Sequence, residues 1–556
     1  MGSPGGTRPD TIPQALVAAA QRFGDREAVV DGSVRLSYND LHQRVRDCAR
    51  LFIAEGIREG DRVAICSPNT HHWVEAALGA LYAGATLVPI NTRYTGEEIL
   101  DIVRRSAATA LVIAGEFLGT DRLASLREAA ARSGDQGHGR DGEPVPGIPT
   151  LRTVLRVPVE SEPSATEPGE AVLDWTDIPE RARGIGSGEL DTRLAHADPH
   201  EPSDILFTSG TTGRSKGAMS AHTQSLGVAE AWAELGGLTE RDRYLVINPF
   251  FHSFGYKAGI LAAILRGATI IPQVTFDAEA AFATIESERV TVLPGAPTIY
   301  QVMLDHPRRE EFDISSLRLA VTGAATVPVV LVERMREQLG FDCVLTAYGL
   351  TEAAVATMCR PTDRPRTVAT TCGKAAAGFE VITVATDGSG ARTPPGEPGE
   401  ILLRGPNVML GYLDDPEETA RAIDSEGWLH TGDVGVLDKH GYLTITDRIK
   451  DMYVSGGFNV YPAEVEQTLA RLDGVSEAAV VGVADDRLGE VGKAYILPTP
   501  GADLSETDVI DHCKERLANY KVPRQVEFVS EFPRNATGKV LKRVLRDGTT
   551  STKERA

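Results

Sequence analysis

Arg62-Val-Ala-Ile-Cys66, the apolar segment from His72 to Ala83, and Ala85-Thr-Leu-Val-Pro-Ile90 read in order as strand, helix and strand. Two short runs of apolar and β-branched residues flank a segment of helical length. Neither strand alternates with polar residues. A strand apolar on both sides is buried on both faces, and two such strands joined through a helix run parallel. Similar short runs recur at 244–247, 268–271, 290–293, 317–322 and 343–347, with helical stretches between them. The pattern predicts an α/β fold whose parallel or mixed sheets are covered by helices.

Outward from this core the composition changes twice. Residues 133–149 are dense in Gly, Pro and charge, and read as a surface excursion. Residues 159–202 contain few long apolar runs and read as a loosely structured connection. From about Asp447 a compact stretch of domain size begins, with strand-like runs at 477–483 and 493–497 and a helix at 463–472. The expected organisation is a large N-terminal domain over 1–446, a hinge at 447–451, and a small mobile α+β domain over 452–556.

The chain has 556 residues, 42% apolar and 24% charged, which is ordinary globular composition. Its 57 Lys and Arg against 78 Asp and Glu give a net charge of −21. That balance argues against nucleic acid as a partner and leaves room for a local basic pocket around a phosphate ligand. Six cysteines, Cys48, Cys66, Cys343, Cys359, Cys372 and Cys513, contain no CxxC pair and are expected to be buried, reduced thiols. The N-terminus lacks a basic segment followed by an apolar run. The apolar stretch 76–90 is too short to span a bilayer and is interrupted by glycine and proline. The expectation is a soluble, cytoplasmic protein without integral membrane contact; a homodimer is compatible with it.

One segment carries the strongest chemical signal: Thr208-Ser209-Gly210-Thr211-Thr212-Gly213-Arg214-Ser215-Lys216-Gly217, directly after a strand-like run. Its glycines let backbone N–H groups turn toward an anion, its hydroxyls add donors, and its two cations offset charge. It is not a Walker A loop, which would need glycine at Ser215 and a hydroxyl at Gly217. A phosphate cradle is the better reading than a plain surface turn.

With seven further segments in order, the sequence resembles the acyl-adenylate-forming superfamily of acyl-CoA synthetases, luciferases and peptide-synthetase adenylation domains. These are Asn248-Pro-Phe-Phe-His-Ser-Phe-Gly255, Val321-Thr-Gly-Ala-Ala325, Tyr348-Gly-Leu-Thr-Glu352, Gly427-Trp-Leu-His-Thr-Gly-Asp433, Asp447-Arg-Ile-Lys-Asp451, Gly456-Gly-Phe-Asn-Val-Tyr-Pro-Ala-Glu464 and Pro533-Arg-Asn-Ala-Thr-Gly-Lys539. Ser215 departs from the family, where many members have proline. The resemblance implies a ligase using ATP, Mg²⁺ and coenzyme A. It assigns Tyr348 to stack on adenine, Gly323, Ala324 and Ala325 to let the backbone approach the adenine edge, and Asp433 to accept from the ribose hydroxyls. Arg448 would contact ribose or phosphate, and Thr351 would border the polyphosphate. Glu352, with Thr208, would hold Mg²⁺ as one carboxylate completed by water and phosphates. Lys539 would be catalytic, bridging the two anions that must meet when a carboxylate attacks the α-phosphate. Lys450 would be the hinge residue.

No carrier domain follows Lys539, so free coenzyme A is the implied acceptor, with Gly456, Gly457 and Phe458 lining its channel. For the acid, residues 248–259, 292–300 and 321–335 resemble actinobacterial ligases that activate HIP, a methylhydrindanone propanoate left by steroid-ring degradation. Phe251, His252, Phe254, Tyr256 and Tyr300 would wall the acyl pocket. A medium-chain or aromatic carboxylate ligase is the alternative within the class. From other classes, a catalytically silent nucleotide-binding protein has Lys216, Glu352, Asp433 and Lys539 against it. An oxygen-dependent light-emitting enzyme would share the adenylate step. There is no Ser-His-Asp signature and no histidine metal cluster to support a hydrolase.

Overall fold

The computed structural model describes residues 9–133, 143–159, 172–208, 215–323, 327, 329–448, 451–455, 458–485, 487–534 and 540–547. Arg62–Cys66 and Thr86–Pro89 are adjacent parallel strands, and His71–Tyr82 is the helix between them. That helix is buried nearly all round, from Trp73 through Tyr82, which is why its sequence lacks a polar stripe. The two strands lie in the middle of an eight-stranded sheet. From one edge the order is Gly411–Tyr412, Lys216–Ala221, Pro202–Thr208, Thr86–Pro89, Arg62–Cys66, Ala110–Ala114, Thr153–Val157 and Val172–Asp174. All pairings are parallel except the two at the Gly411–Tyr412 edge.

A second layer consists of two four-stranded sheets that meet at Val292. One runs Arg243–Val246, Thr269–Pro272, Glu27–Asp31 and Val34–Ser37; the other runs Leu319–Gly323, Cys343–Leu350, Ala353–Met358 and Lys374–Ala375. Val292 forms single parallel bridges to Tyr244 and to Leu319. The run expected as a strand at 290–293 is therefore a one-residue splice. Helix starts follow local chemistry: Thr11 with Gln14, Ser37 with Asp40, and Thr95 with Glu98 each close a capping box.

Four antiparallel strands follow, Glu380–Val384, Pro398–Arg404, Leu429–Leu437 and Leu443–Arg448. The last sheet takes all its strands from 453–528, with Val475–Asp485 and Gly489–Pro498 as its long pair and helix Pro462–Leu469 packed on it. Within the connection at 159–202, the described residues 172–202 are more ordered than their composition suggests. Val172–Asp174 adds an edge strand and Ser187–His196 is a helix anchored by the fully buried Leu190. One apolar anchor is enough to dock a short amphipathic helix, and one anchor is a weak sequence signal. Cys48, Cys66, Cys359 and Cys513 are buried, whereas Cys343 and Cys372 are partly exposed; all six are free thiols. Among the described residues no helix is long and apolar enough to cross a membrane.

Candidate functional site

The glycine-rich turn is the tip of a hairpin. Pro202–Thr208 enters it, Lys216–Ala221 leaves it, and Thr208 stands opposite Lys216 in the register. Ser209, Gly210, Thr211, Thr212, Gly213 and Arg214 lie outside the described residues. The leaving strand pairs with Gly411–Tyr412, placing Ala218 against Tyr412. The Lys216 ammonium lies 5.2 Å from the Tyr412 ring centroid and is paired with the Glu418 carboxylate. Tyr412 Oη donates to Glu352 Oε1 at 2.7 Å. The expected phosphate cation and the expected metal carboxylate are thus brought to one spot by a tyrosine. The hydrogen bond to Lys216 holds the Glu418 carboxyl below its usual range. Burial, then the Glu352 charge, pushes the Tyr412 phenol up, so it stays a donor.

Gly323 and Tyr348 meet on the neighbouring sheet. Gly323 is registered against Ala347, and a Cβ at Gly323 would come within 2.5 Å of the Ala347 carbonyl oxygen. Only glycine allows that approach. Tyr348 is 8% exposed, and its Oη donates to Asp433 Oδ2 at 2.7 Å. Asp433 lies within the strand Leu429–Leu437 and not in the turn its Thr-Gly-Asp sequence suggests, its N–H donating to Thr431 Oγ1 at 3.1 Å. Arg448 is opposite Asp433 in the ladder, described in backbone only. Thr351 is partly exposed in the turn before Glu352. Three residues beyond Glu352, the β-branched Val355 is held at φ 54, a strained conformation of the kind concentrated at functional sites.

The aromatic run divides into two groups. His252 caps the turn Ser253–Gly255, Nδ1 accepting from the Phe254 N–H at 3.1 Å. Burial pushes its imidazole down to about 4, so it is neutral, as an accepting Nδ1 requires. Gly255 is essential there, since a Cβ would collide with the Pro249 carbonyl. Phe251 and Phe254 keep some exposed surface, Phe254 edge-on to Trp232 at 5.2 Å. Tyr256 and Tyr300 do not match the expectation of pocket walls, because both are 0% exposed. Tyr256 packs against Trp73 at 5.8 Å, and Tyr300 Oη donates to the Leu293 carbonyl at 2.7 Å. Aromatic side chains near a site and in the core look the same in sequence.

Several residues escaped sequence reasoning. Lys257, in the π-helical turn Tyr256–Leu261, is 2% exposed and pairs with the fully buried Asp204 at 3.0 Å. Its Nζ also donates to Ser220 Oγ at 2.8 Å, while Ser203 and Ser225 donate to Asp204 Oδ2. The pair ties the aromatic run to both strands of the phosphate hairpin. A lone lysine in an apolar run was the available signal, because a buried charge needs a partner. Asn69 clamps the same region, donating to the carbonyls of Val246 and Asn248 and accepting from the Phe250 N–H. Tyr412 and Glu418 carried no signal beyond proximity, which sequence does not show.

Ala324, Ala325, Lys450, Gly456, Gly457 and Lys539 lie outside the described residues, and Phe458 is described only as backbone opposite Ser455. An isolated bridge between Arg534 and Val540 closes the base of the segment that carries Lys539. Among the described residues no group of three or more His, Cys, Asp or Glu is arranged to hold a metal. Glu352 and Thr208 offer one carboxylate and one hydroxyl, hard oxygen donors that suit Mg²⁺ arriving with a polyphosphate.

Comparison with known proteins gives a consistent result. The profile described as AMP-binding enzyme matches residues 16–413, and that described as AMP-binding enzyme C-terminal domain matches residues 464–539. A 3-[(3aS,4S,7aS)-7a-methyl-1,5-dioxo-octahydro-1H-inden-4-yl]propanoyl:CoA ligase of Rhodococcus jostii (strain RHA1) is 57% identical over 540 residues, 97% of this chain and 99% of its own. The ligase of that name from Mycobacterium tuberculosis is 54% identical over 541 residues, 97% of this chain and 98% of its own. Among solved structures, the anthranilate CoA ligase AuaEII in complex with anthranoyl-AMP superposes with a TM-score of 0.82 at 27% identity, covering 97% of each chain.

Proposed function

This chain belongs to the AMP-binding enzyme family and is an AMP-forming acyl-CoA synthetase; we propose that the acid it activates is the methylhydrindanone propanoate HIP. The substrate assignment is supported by the two relatives that carry that name over nearly their whole length. In the first step a carboxylate oxygen attacks the α-phosphorus of ATP, forming the acyl–AMP bond and breaking the bond to pyrophosphate. In the second, the thiolate of coenzyme A attacks the acyl carbon and AMP leaves.

The observation that carries the catalytic reading is the contact chain Lys216, Tyr412, Glu352, beside the Tyr348–Asp433 hydrogen bond. The first set suits a polyphosphate, the second a nucleoside. Lys216 and the turn 209–214 receive the phosphates, with Tyr348 against adenine, Asp433 on the ribose hydroxyls, and Arg448 beside them. Glu352 and Thr208 would hold Mg²⁺, which would supply charge neutralisation at the polyphosphate. Lys539 aligns the carboxylate with the α-phosphate. Residues 447–451 act as the hinge about Lys450, and rotation of 452–556 exchanges Lys539 for the Gly456-Gly457-Phe458 channel. Phe251, His252 and Phe254 line the acid's side.

The test is thioester formation with ATP, Mg²⁺ and coenzyme A over HIP, octanoate, cinnamate and intact cholesterol side-chain acids. The proposal expects the highest kcat/KM for HIP. A higher value for octanoate or cinnamate would reject it and leave the ligase class standing.

A further inference from the structure

Arg105 touches both stems of the phosphate hairpin. Its Nη1 donates to the Ser215 carbonyl at 2.7 Å, and its guanidinium lies 5.2 Å from the Phe207 ring centroid. Phe207 is the last but one residue of the entering strand, and Ser215 directly precedes the leaving strand. One planar cation therefore spans the mouth of the turn. It is held in place from a separate element. Arg105 ends the helix Gly96–Arg105, where a cation also suits the helix dipole, and Asp101 one turn earlier pairs with it at 3.1 Å.

The turn needs such a grip. Gly210, Gly213 and Gly217 fall within ten residues, and glycine loses more backbone freedom on ordering than any other residue. Ser215 leaves φ free at a position where proline would fix it. Among the described residues the Ser215 N–H makes no hydrogen bond, so its carbonyl contact with Arg105 adds a hold on this end of the turn one residue beyond the ladder pair Thr208–Lys216. Lysine would not serve equally, because the contact combines donation to a carbonyl with stacking on a ring.

We propose that Arg105 is a positioning residue for the nucleotide: by bridging Phe207 and Ser215 it sets the width of the hairpin mouth and so aims the turn and Lys216 at the polyphosphate. The claim about nucleotide rests on the ligase reading above; the claim about hairpin order does not. Four full-length chains separate them: wild type, Arg105→Met, Ser215→Pro, and the double variant, with Arg105→Lys as a milder control for folding. Hydrogen exchange over residues 207–217 without nucleotide reports hairpin order directly. Arg105→Met should exchange faster there, Arg105→Lys should be intermediate, and Ser215→Pro in the same chain should restore protection.

In kinetics, Arg105→Met should raise the ATP KM about tenfold, the worth of one charge-assisted hydrogen bond. The rate of thioester formation from supplied acyl-adenylate and coenzyme A should be unchanged. Ser215→Pro should recover the ATP KM, because it supplies rigidity by another route. Unchanged exchange in Arg105→Met would overturn the proposal. So would a raised KM that Ser215→Pro leaves in place, which would make Arg105 a direct phosphate contact. Failure of the wild type to release pyrophosphate with any acid would count against the ligase reading, and the exchange comparison would still decide the role of Arg105.

Discussion

The phosphate hairpin and the aromatic run border the same site and are held by opposite means. The hairpin's stems are gripped by polar groups from elsewhere: Arg105 on Ser215, Glu418 on Lys216, and Tyr412 beneath the Lys216 ammonium. The segment from Ser253 to Arg266 is held by burial, with Tyr256, Ile260 and Leu261 without appreciable exposed surface. Its buried charged anchor is Lys257 on Asp204, which is also the link between the two regions. Partly exposed charged contacts add little to stability and much to aim. Buried groups do the reverse: their loss is felt first in the fold. Mutations on the two sides should therefore separate into kinetic and stability phenotypes.

The largest effect is expected where the regions join. Lys257→Met strands the Asp204 carboxylate in the core, and breaking such a pair costs about 3–5 kcal/mol. Urea denaturation should show that loss, and adding Asp204→Leu should recover most of it. If Lys257→Met unfolds at the wild-type urea midpoint, the link does not hold the two regions together.

On the hairpin side, Lys216→Ala should cost about 2–5 kcal/mol in kcat/KM for ATP, as removal of one partner of a desolvated charged contact does. Its urea midpoint should stay with the wild type. A variant that melts early with normal ATP kinetics would reverse the contrast.

Acid should act through a buried histidine at the foot of the hairpin. His222 is 7% exposed and burial pushes its imidazole down to about 4; its Nδ1 accepts from the Ile12 N–H at 3.3 Å. Protonation therefore favours the unfolded chain, whose histidine titrates near 6.5. The stabilisation is complete above pH 6.5 and is lost as pH falls toward 4, at up to about 1.4 kcal/mol per pH unit. His222→Gln should flatten that slope in denaturation measured from pH 7 to 4; an unchanged slope would assign it to other groups.

The smallest effects sharpen the division within the aromatic run. Tyr300→Phe removes a buried hydrogen bond and should cost about 1 kcal/mol of stability. The Tyr256 hydroxyl is buried without a partner among the described residues, so Tyr256→Phe should be neutral or stabilising. Neither should change the KM for the acid. A raised acid KM in either variant would return that tyrosine to the pocket wall.

What could be read in the sequence follows the same division. The parallel strands around 62–66 and 86–89 were legible because burial on both faces leaves a continuous apolar run. Lys216, Glu352, Tyr348 and Asp433 were legible as candidates because polar chemistry needs particular groups in order. The structure brings them together in two pairs, through Tyr412 and through the Tyr348–Asp433 contact. Tyr256 and Tyr300 were misplaced because an apolar ring satisfies a pocket and a core equally well. Arg105 and Glu418 were illegible for another reason. Their meaning lies in partners 110 and 202 residues away, and one sequence carries no signal for such pairings. Val292 shows the limit for strands, since its run had the right composition and forms only single bridges.

The whole mechanism turns on attack at the α-phosphate of ATP. The direct measurement is nucleotide analysis of a complete reaction with ATP, Mg²⁺, coenzyme A and HIP, quantifying AMP, ADP, pyrophosphate and thioester together. One AMP and one pyrophosphate are expected for each thioester, none of them without the acid. ADP and phosphate in step with thioester would contradict it, since they place attack at the terminal phosphate.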